Sequence, residues 1–279
     1  MKADCHIHMV LDGVDWKQAI TRHSIKPEEN FIHKTLARYR DLGYTYLRDG
    51  GDRWGVGAKA RALAMNYGIT YRTPLAPLVF AGHYGAFIGR TYGDLKEYAA
   101  LVVQTRQQGG DFIKIMISGL MDLDRFGVLT EDSLPGDMIG ELIHIAHQEG
   151  MAVMAHANGI SALHAAAAGV DSVEHGAYLT EETLCAMAEK GTVWVPTLST
   201  VGNLRGKGRF SETDVEKILE SALVNVEKFH RMGGILASGT DAGAWAVPHG
   251  STTEEGYFTM AGVDDTALAK GLAVIQTKF

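Results

Sequence analysis

Seven times along this 279-residue chain, a stretch with apolar residues at helical spacing runs into glycine, and a short β-branched or apolar run follows. The glycines are Gly43, Gly68, the pair Gly109 and Gly110, Gly150, Gly169, Gly191, and the pair Gly233 and Gly234. Glycine just past a helix end takes the left-handed cap conformation without a Cβ penalty, so each marks a helix stop. The runs that follow are 44–47, 69–72, 112–117, 151–155, 170–175, 192–197 and 235–240, and the opening run 3–9 makes eight strands. A last helix fits 266–276. Strands alternating with helices predict a parallel sheet with helices outside it. Eight such units at this length predict an α/β fold, a closed (β/α)8 TIM barrel; an open doubly wound sheet is the other arrangement. The longest irregular stretches, 76–92, 118–135, 198–210 and 241–253, all follow strands, on the face where barrels place their active sites.

Composition removes several classes of protein. With 46% hydrophobic and 21% charged residues the chain is an ordinary globular one, not a disordered one. The most apolar stretch, 151–170, is interrupted by His156, Asn158, Ser161 and His164, so no membrane span is expected. A net charge of -7 and the lack of a basic run argue against nucleic acid as a partner. Asp4, His6 and His8 stand where a signal peptide would need its apolar region, and two cysteines make no disulfide framework. The expected compartment is the cytoplasm.

Twelve histidines are the other compositional feature, and several fall at strand ends. In Cys5-His6-Ile7-His8 the two imidazoles, two residues apart on a strand, point to one side. Taken alone, the pair is as consistent with a polar surface as with two metal donors. Lys114 interrupts the apolar run Phe112-Ile113-Lys114-Ile115-Met116, where a lysine is costly unless paired or neutralised, or unless its amine reaches solvent. His156 follows the run 151–155, His175 follows Ser172-Val173-Glu174, and Asp241 follows the run 235–240. Each alone reads as an ordinary hydrogen-bonded residue. Together they put metal-ligand residue types on five strands at one face of the predicted sheet, and chance placement of all six is implausible.

This set resembles the amidohydrolase superfamily of metal-dependent (β/α)8 hydrolases, in the family's chain order. The finer likeness is to its imidazolonepropionase-like and prolidase-like branch. It rests on Ala81-Gly82-His83, Ala155-His156-Ala157, Gly169-Val170-Asp171-Ser172-Val173-Glu174-His175-Gly176, Val195-Pro196-Thr197, Gly239-Thr240-Asp241-Ala242-Gly243 and His249-Gly250. The resemblance implies hydrolysis of a C–N bond at a metal centre. His6, His8, Lys114, His156, His175 and Asp241 would hold two divalent metal ions, zinc by preference, bridged by carboxylated Lys114. Attack would come from metal-bound hydroxide, with Asp241 as general base and then acid. Four neutral imidazoles against a carbamate, a carboxylate and a hydroxide leave such a centre net positive, suited to an oxyanion. Lys114 as a free cation would instead point away from a two-metal site.

The same resemblance nominates His83 and His249 as substrate-binding residues; Tyr84, beside His83 after the third strand, and Arg125, in the loop after Lys114 and suited to an anionic group, are nominated by their places in the chain. Trp245 and Tyr178 read either as an aromatic wall or as ordinary packing. His144, His147, His23, His33, His164 and His230 read as structural. One departure stands out. Family members usually carry a small β-sandwich built from segments flanking the barrel, whereas here His6 lies almost at the start and the chain stops at Phe279. The expectation is a single bare barrel domain over 1–279, or a fragment, and a homo-oligomer that covers the exposed surface. The expected substrate is a small molecule such as a dipeptide, an N-acyl amino acid or a cyclic amide. Lactone or phosphoester hydrolysis, and a non-catalytic barrel with a binding role, are the alternatives.

Overall fold

The computed structural model describes residues 2–279. Ten parallel strands alternate with eleven α-helices among the described residues. The strands are β1 (Lys2–Ile7), β2 (Tyr44–Asp49), β3 (Thr70–Arg72), β4 (Leu78–Phe80), β5 (Arg90–Tyr92), β6 (Ile113–Met116), β7 (Val153–Ala157), β8 (Ser172–His175), β9 (Val193–Val195) and β10 (Ile235–Leu236). The principal helices are α1 (Trp16–His23), α2 (Glu29–Asp41), α3 (Val56–Ala64), α4 (Leu95–Gln107), α5 (Gly136–Gln148), α6 (Ile160–Ala167) and α7 (Glu181–Lys190). They are followed by α8 (Ser199–Gly202), α9 (Glu212–Arg231), α10 (Thr253–Met260) and α11 (Asp265–Lys278). All eight strands expected from the glycine pattern are present, and β4 and β5 are additional. Both lie in 76–92, which the sequence marks as irregular; Pro74 and Pro77 break the apolar pattern just ahead of Leu78. Proline lacks an N–H, but it is tolerated just before a strand begins, and Leu78 starts one.

Two sheets carry the strands, one in the order β1-β2-β3 and one in the order β10-β9-β8-β7-β6-β4-β5. Backbone bonds join them where β1 meets the segment after β10: Cys5 N–H to Ser238 O at 2.8 Å, Asp241 N–H to His6 O at 2.7 Å and His8 N–H to Ala242 O at 2.7 Å. Asp4 reinforces that seam. Its carboxylate accepts the Thr240 hydroxyl at 2.6 Å and the Thr240 N–H at 2.9 Å. Gly239 sits here because a Cβ would lie 2.8 Å from the His6 nitrogen. On the opposite side, 70–80 is one kinked path, with β3 paired to β2 and β4 paired to β6. The Asp111 N–H also bonds the Thr73 carbonyl at 2.9 Å.

Helix ends follow the rules that the sequence obeys. Asp15, Asp94, Thr180, Ser211 and Asp264 cap α1, α4, α7, α9 and α11 through side-chain oxygens. The largest apolar cluster lies between β6–β9 and the helices outside them, with Ile113, Ile115, Val153, Ala155, Val173 and Trp194 buried against α5, α6 and α9. A stable packed layer therefore holds the strand ends at which the polar residues stand. No helix is long and apolar enough to cross a membrane among the described residues.

Candidate metal centre and its cavity

His6 and His8 leave the end of β1 with their Nε2 atoms 3.4 Å apart. The seam to the segment after β10 brings Asp241 beside both, its Oδ1 at 3.5 Å from His6 Nε2 and 3.3 Å from His8 Nε2. His175 stacks 5.0 Å from His6 and 4.6 Å from His156, centroid to centroid. One ligand atom each from His6, His175 and Asp241 lie within 4.8 Å of one another, the spacing of groups that share an ion. His175, Thr197 and Asp241 carry positive φ of 67°, 50° and 58°, a conformation that costs a non-glycine residue of order 1–3 kcal/mol. His175 is the last residue of β8, Thr197 follows β9, and Asp241 stands in the segment after β10.

Three of the four imidazoles are held by one nitrogen and keep the other for a ligand. The His6 Nδ1–H donates to Glu174 Oε2 at 2.7 Å, leaving Nε2 as an acceptor. His175 Nδ1 pairs with the Thr197 hydroxyl at 2.7 Å, again leaving Nε2. His156 Nε2 faces the Gly119 carbonyl at 3.3 Å, leaving Nδ1. Outer partners of this kind set tautomer and ring orientation at metal sites. His8 fits against Gly50, where a Cβ would lie 2.4 Å from its Cε1, and no partner holds its Nδ1.

Glu174 is itself fixed. Arg48, fully buried, donates from Nη2 to Glu174 Oε1 at 2.8 Å, from Nη1 to Ser172 Oγ at 3.0 Å and from Nε to Cys5 O at 2.7 Å. The Ser172 hydroxyl donates to the same Oε1 at 2.5 Å.

Electrostatics favour neutral donors. Burial, and then the nearby Lys114 charge, push His8 and His156 down to about 3. His6 and His175 fall well below the ordinary range for the same first reason. A neutral imidazole is the form that coordinates. Lys114 is 1% exposed, and its amine has no hydrogen-bond partner; burial lowers its pKa. Asp241 Oδ1 is likewise without a hydrogen-bond partner, and burial raises that carboxyl. Buried polar atoms left unpaired are rare and mark a missing ligand or a chemical role. The residues present therefore suit a divalent cation bound by mixed nitrogen and oxygen donors.

Above the centre opens a cavity of about 650 Å³ whose floor includes His8, Lys114, His156, His175 and Asp241. Its walls are mostly apolar, with Asp15, Thr200 and Arg209 among them. Trp16 and Phe87 meet edge to face at 5.1 Å on one side, and Phe210 and Trp245 at 6.0 Å on another. Leu120, Met121 and Leu123 come from the stretch after β6.

No family model matches the chain. Ochratoxinase of Aspergillus niger is 28% identical over 166 residues, 55% of this chain and 32% of that protein. An uncharacterised protein of Mycobacterium bovis is 28% identical over 170 residues, 58% of this chain and 45% of that protein. The matched region thus spans less than half the length of these curated relatives. In three dimensions the likeness extends over nearly all of the chain. The A. niger ochratoxinase structure superposes with a TM-score of 0.78 at 20% identity, covering 96% of this chain and 68% of that one. A Xaa-Pro dipeptidase with methionine bound in its active site gives 0.74 at 21% identity, covering 99% and 75%. An amidohydrolase gives 0.72 at 22% identity, covering 98% and 74%. The chain shares the fold of these three structures.

Within this fold, the residues nominated for substrate binding are placed differently from one another. Tyr84 lines the cavity, its ring 5.1 Å from that of His156, and its N–H donates to Glu131 at 2.7 Å. His83 stands beside it outside the lining, against Phe80 and 3.7 Å from Glu131. His249 is buried behind the wall, bonded to the Leu11 carbonyl at 2.9 Å and the Tyr39 hydroxyl at 3.2 Å. Arg125 is exposed and bound to Asp122, away from the cavity. Trp245 belongs to the wall, whereas Tyr178 packs edge-on against Phe126. His147 pairs with Asp171 and His33 with Tyr67, both outside the cavity. Glu174, Arg48, Thr197 and Arg209 enter the site without having been singled out as functional in the sequence. Glu174 carried a signal, as a carboxylate directly beside His175 in the same strand.

Proposed function

We propose that this protein is a metal-dependent amide hydrolase acting on a small molecule. The observation that carries the reading is Lys114, an amine buried without a partner among four imidazoles and a carboxylate. Carboxylation would turn a group that nothing solvates into an anionic oxygen ligand. His6, His8, His156, His175, Asp241 and carboxylated Lys114 would then hold two divalent ions, and the nitrogen-rich set suits zinc over magnesium or calcium. Bound there, the ions would polarise a carbonyl and acidify a water.

The chain's own residues supply the rest. Asp241, its carboxyl raised by burial, would take a proton and return it to a leaving nitrogen. Glu174 and Thr197 hold His6 and His175 in the tautomers that leave Nε2 available. The apolar walls exclude water from the reacting bond and receive the substrate's apolar parts. We read the two sheets as one closed (β/α)8 barrel and 2–279 as one domain, supported by the seam at Asp4 and the kinked path 70–80.

The test is a panel of dipeptides, N-acyl amino acids and cyclic amides, with lactones and phosphoesters alongside, run on protein whose metal content has been measured. Amide hydrolysis lost to a chelator and regained with zinc is the expected result. Metal-loaded protein that cleaves only lactones or phosphoesters, or nothing, overturns the reading.

A further inference from the structure

Among the described residues, one arginine lines the cavity besides Lys114. Arg209, in the exposed turn between α8 and α9, lines the cavity with its guanidinium 4.4 Å above the Trp245 ring and 5.2 Å from that of Phe210. Among the described residues it has no carboxylate within ion-pair distance. The acidic groups around the turn are engaged elsewhere: Glu212 accepts the N–H groups of Gly206 and Gly208, Asp214 accepts the Phe126 N–H and the Ser211 hydroxyl, and Asp124 accepts the Ser211 N–H. Asp15, the other carboxylate of the lining besides Asp241, is spent on capping α1. A guanidinium stacked on two aromatic faces loses little further freedom when it binds, and its fork matches a carboxylate bidentately.

We infer that Arg209 is the specificity-determining residue of the cavity, selecting amides that carry an anionic group, a carboxylate, on a large apolar substituent. This rests on the hydrolase reading and narrows its substrate class. The apolar part would lie along Trp245 and Phe210, the carboxylate on Arg209, and the amide over the floor at Asp241. Arg125, the arginine suited by sequence to such a role, is already neutralised by Asp122 and stands off the cavity.

The experiment uses the metal-loaded full chain and two probes, N-benzoyl-phenylalanine and N-phenethylbenzamide, the same amide without its carboxylate. Wild type should prefer the acid in kcat/KM. Arg209→Met should lower the acid-to-neutral ratio by about tenfold or more, the equivalent of about 1.4 kcal/mol, chiefly through KM, and Arg209→Lys should recover part of it. Binding is read separately from the fluorescence of Trp245, with Trp245→Phe as the control for the signal. Acid-selective binding that depends on Arg209, without turnover, supports the inference while the hydrolase reading fails. Turnover of both probes with a ratio that Arg209→Met leaves unchanged overturns the inference while the hydrolase reading stands. Failure of wild type to bind or cleave either probe also overturns it.

Discussion

Glu174 Oε2 lies 2.7 Å from His6 Nδ1, and both side chains are wholly out of solvent. The contact joins β8 to β1 across 168 residues of sequence, and Arg48 closes it from the other side. It decides which nitrogen of His6 carries the proton, and so which one is left to coordinate.

Glu174→Gln should keep the fold but weaken metal binding by about 10–100-fold, because the amide can offer the same ring its nitrogen as readily as its oxygen. Competition with a chromogenic chelator reads the affinity directly. Unchanged affinity would assign Glu174 to Arg48 alone. Glu174→Ala goes further, leaving Arg48 buried and unpaired at a cost of about 3–5 kcal/mol in urea unfolding.

Lys114→Met should separate stability from activity. The wild-type amine is buried without a partner, so in chelator-treated protein the variant should be more stable by about 1–3 kcal/mol. The same change should remove at least one metal equivalent and most of the activity. In Lys114→Ala, small carboxylic acids should restore part of both. Full metal occupancy in Lys114→Met would exclude the lysine as a ligand.

Asp241→Asn should retain more metal than activity. The amide oxygen still coordinates weakly, but it cannot accept and return a proton. Metal analysis and turnover on one preparation check this; parallel loss of the two would reduce Asp241 to a ligand.

His23 supplies a pH dependence remote from the centre. It is fully buried, its Nδ1 accepts the Glu28 N–H at 3.0 Å, and burial lowers its pKa from 6.5 to about 4. Between those values the unfolded chain takes up a proton that the folded chain refuses. The His23 contribution is therefore complete above pH 6.5 and is lost as pH falls toward 4. In urea unfolding, the stability gap between wild type and His23→Gln should shrink by about 1–2 kcal/mol from pH 7.5 to pH 5. A gap that holds constant would place the His23 proton elsewhere.

Much of the architecture was legible along the chain because it depends on local rules. Glycine after a helix and apolar period act within a few residues, so the eight strand segments could be read from sequence. The same locality shows which strands end in His, Lys or Asp. Where prolines broke the pattern, at Pro74 and Pro77, β4 and β5 were hidden, since their pairing with β6 and with each other is non-local.

What the sequence by itself determined is therefore the order of strands and helices and the chemical type of residue at each strand end. The distances among those residues came only with the tertiary structure. The Asp4–Thr240 seam sets Asp241 beside His6 and His8, and Arg48 reaches Glu174 across 126 residues. Arg125 and Arg209 are equivalent as letters, and both stand in irregular segments after strands. Only packing pairs one with Asp122 and lays the other over Trp245. The reason is physical: backbone preference is decided by neighbours in sequence, whereas the proton, charge and partner of a buried side chain are decided by whatever the closed fold brings within about 3–4 Å.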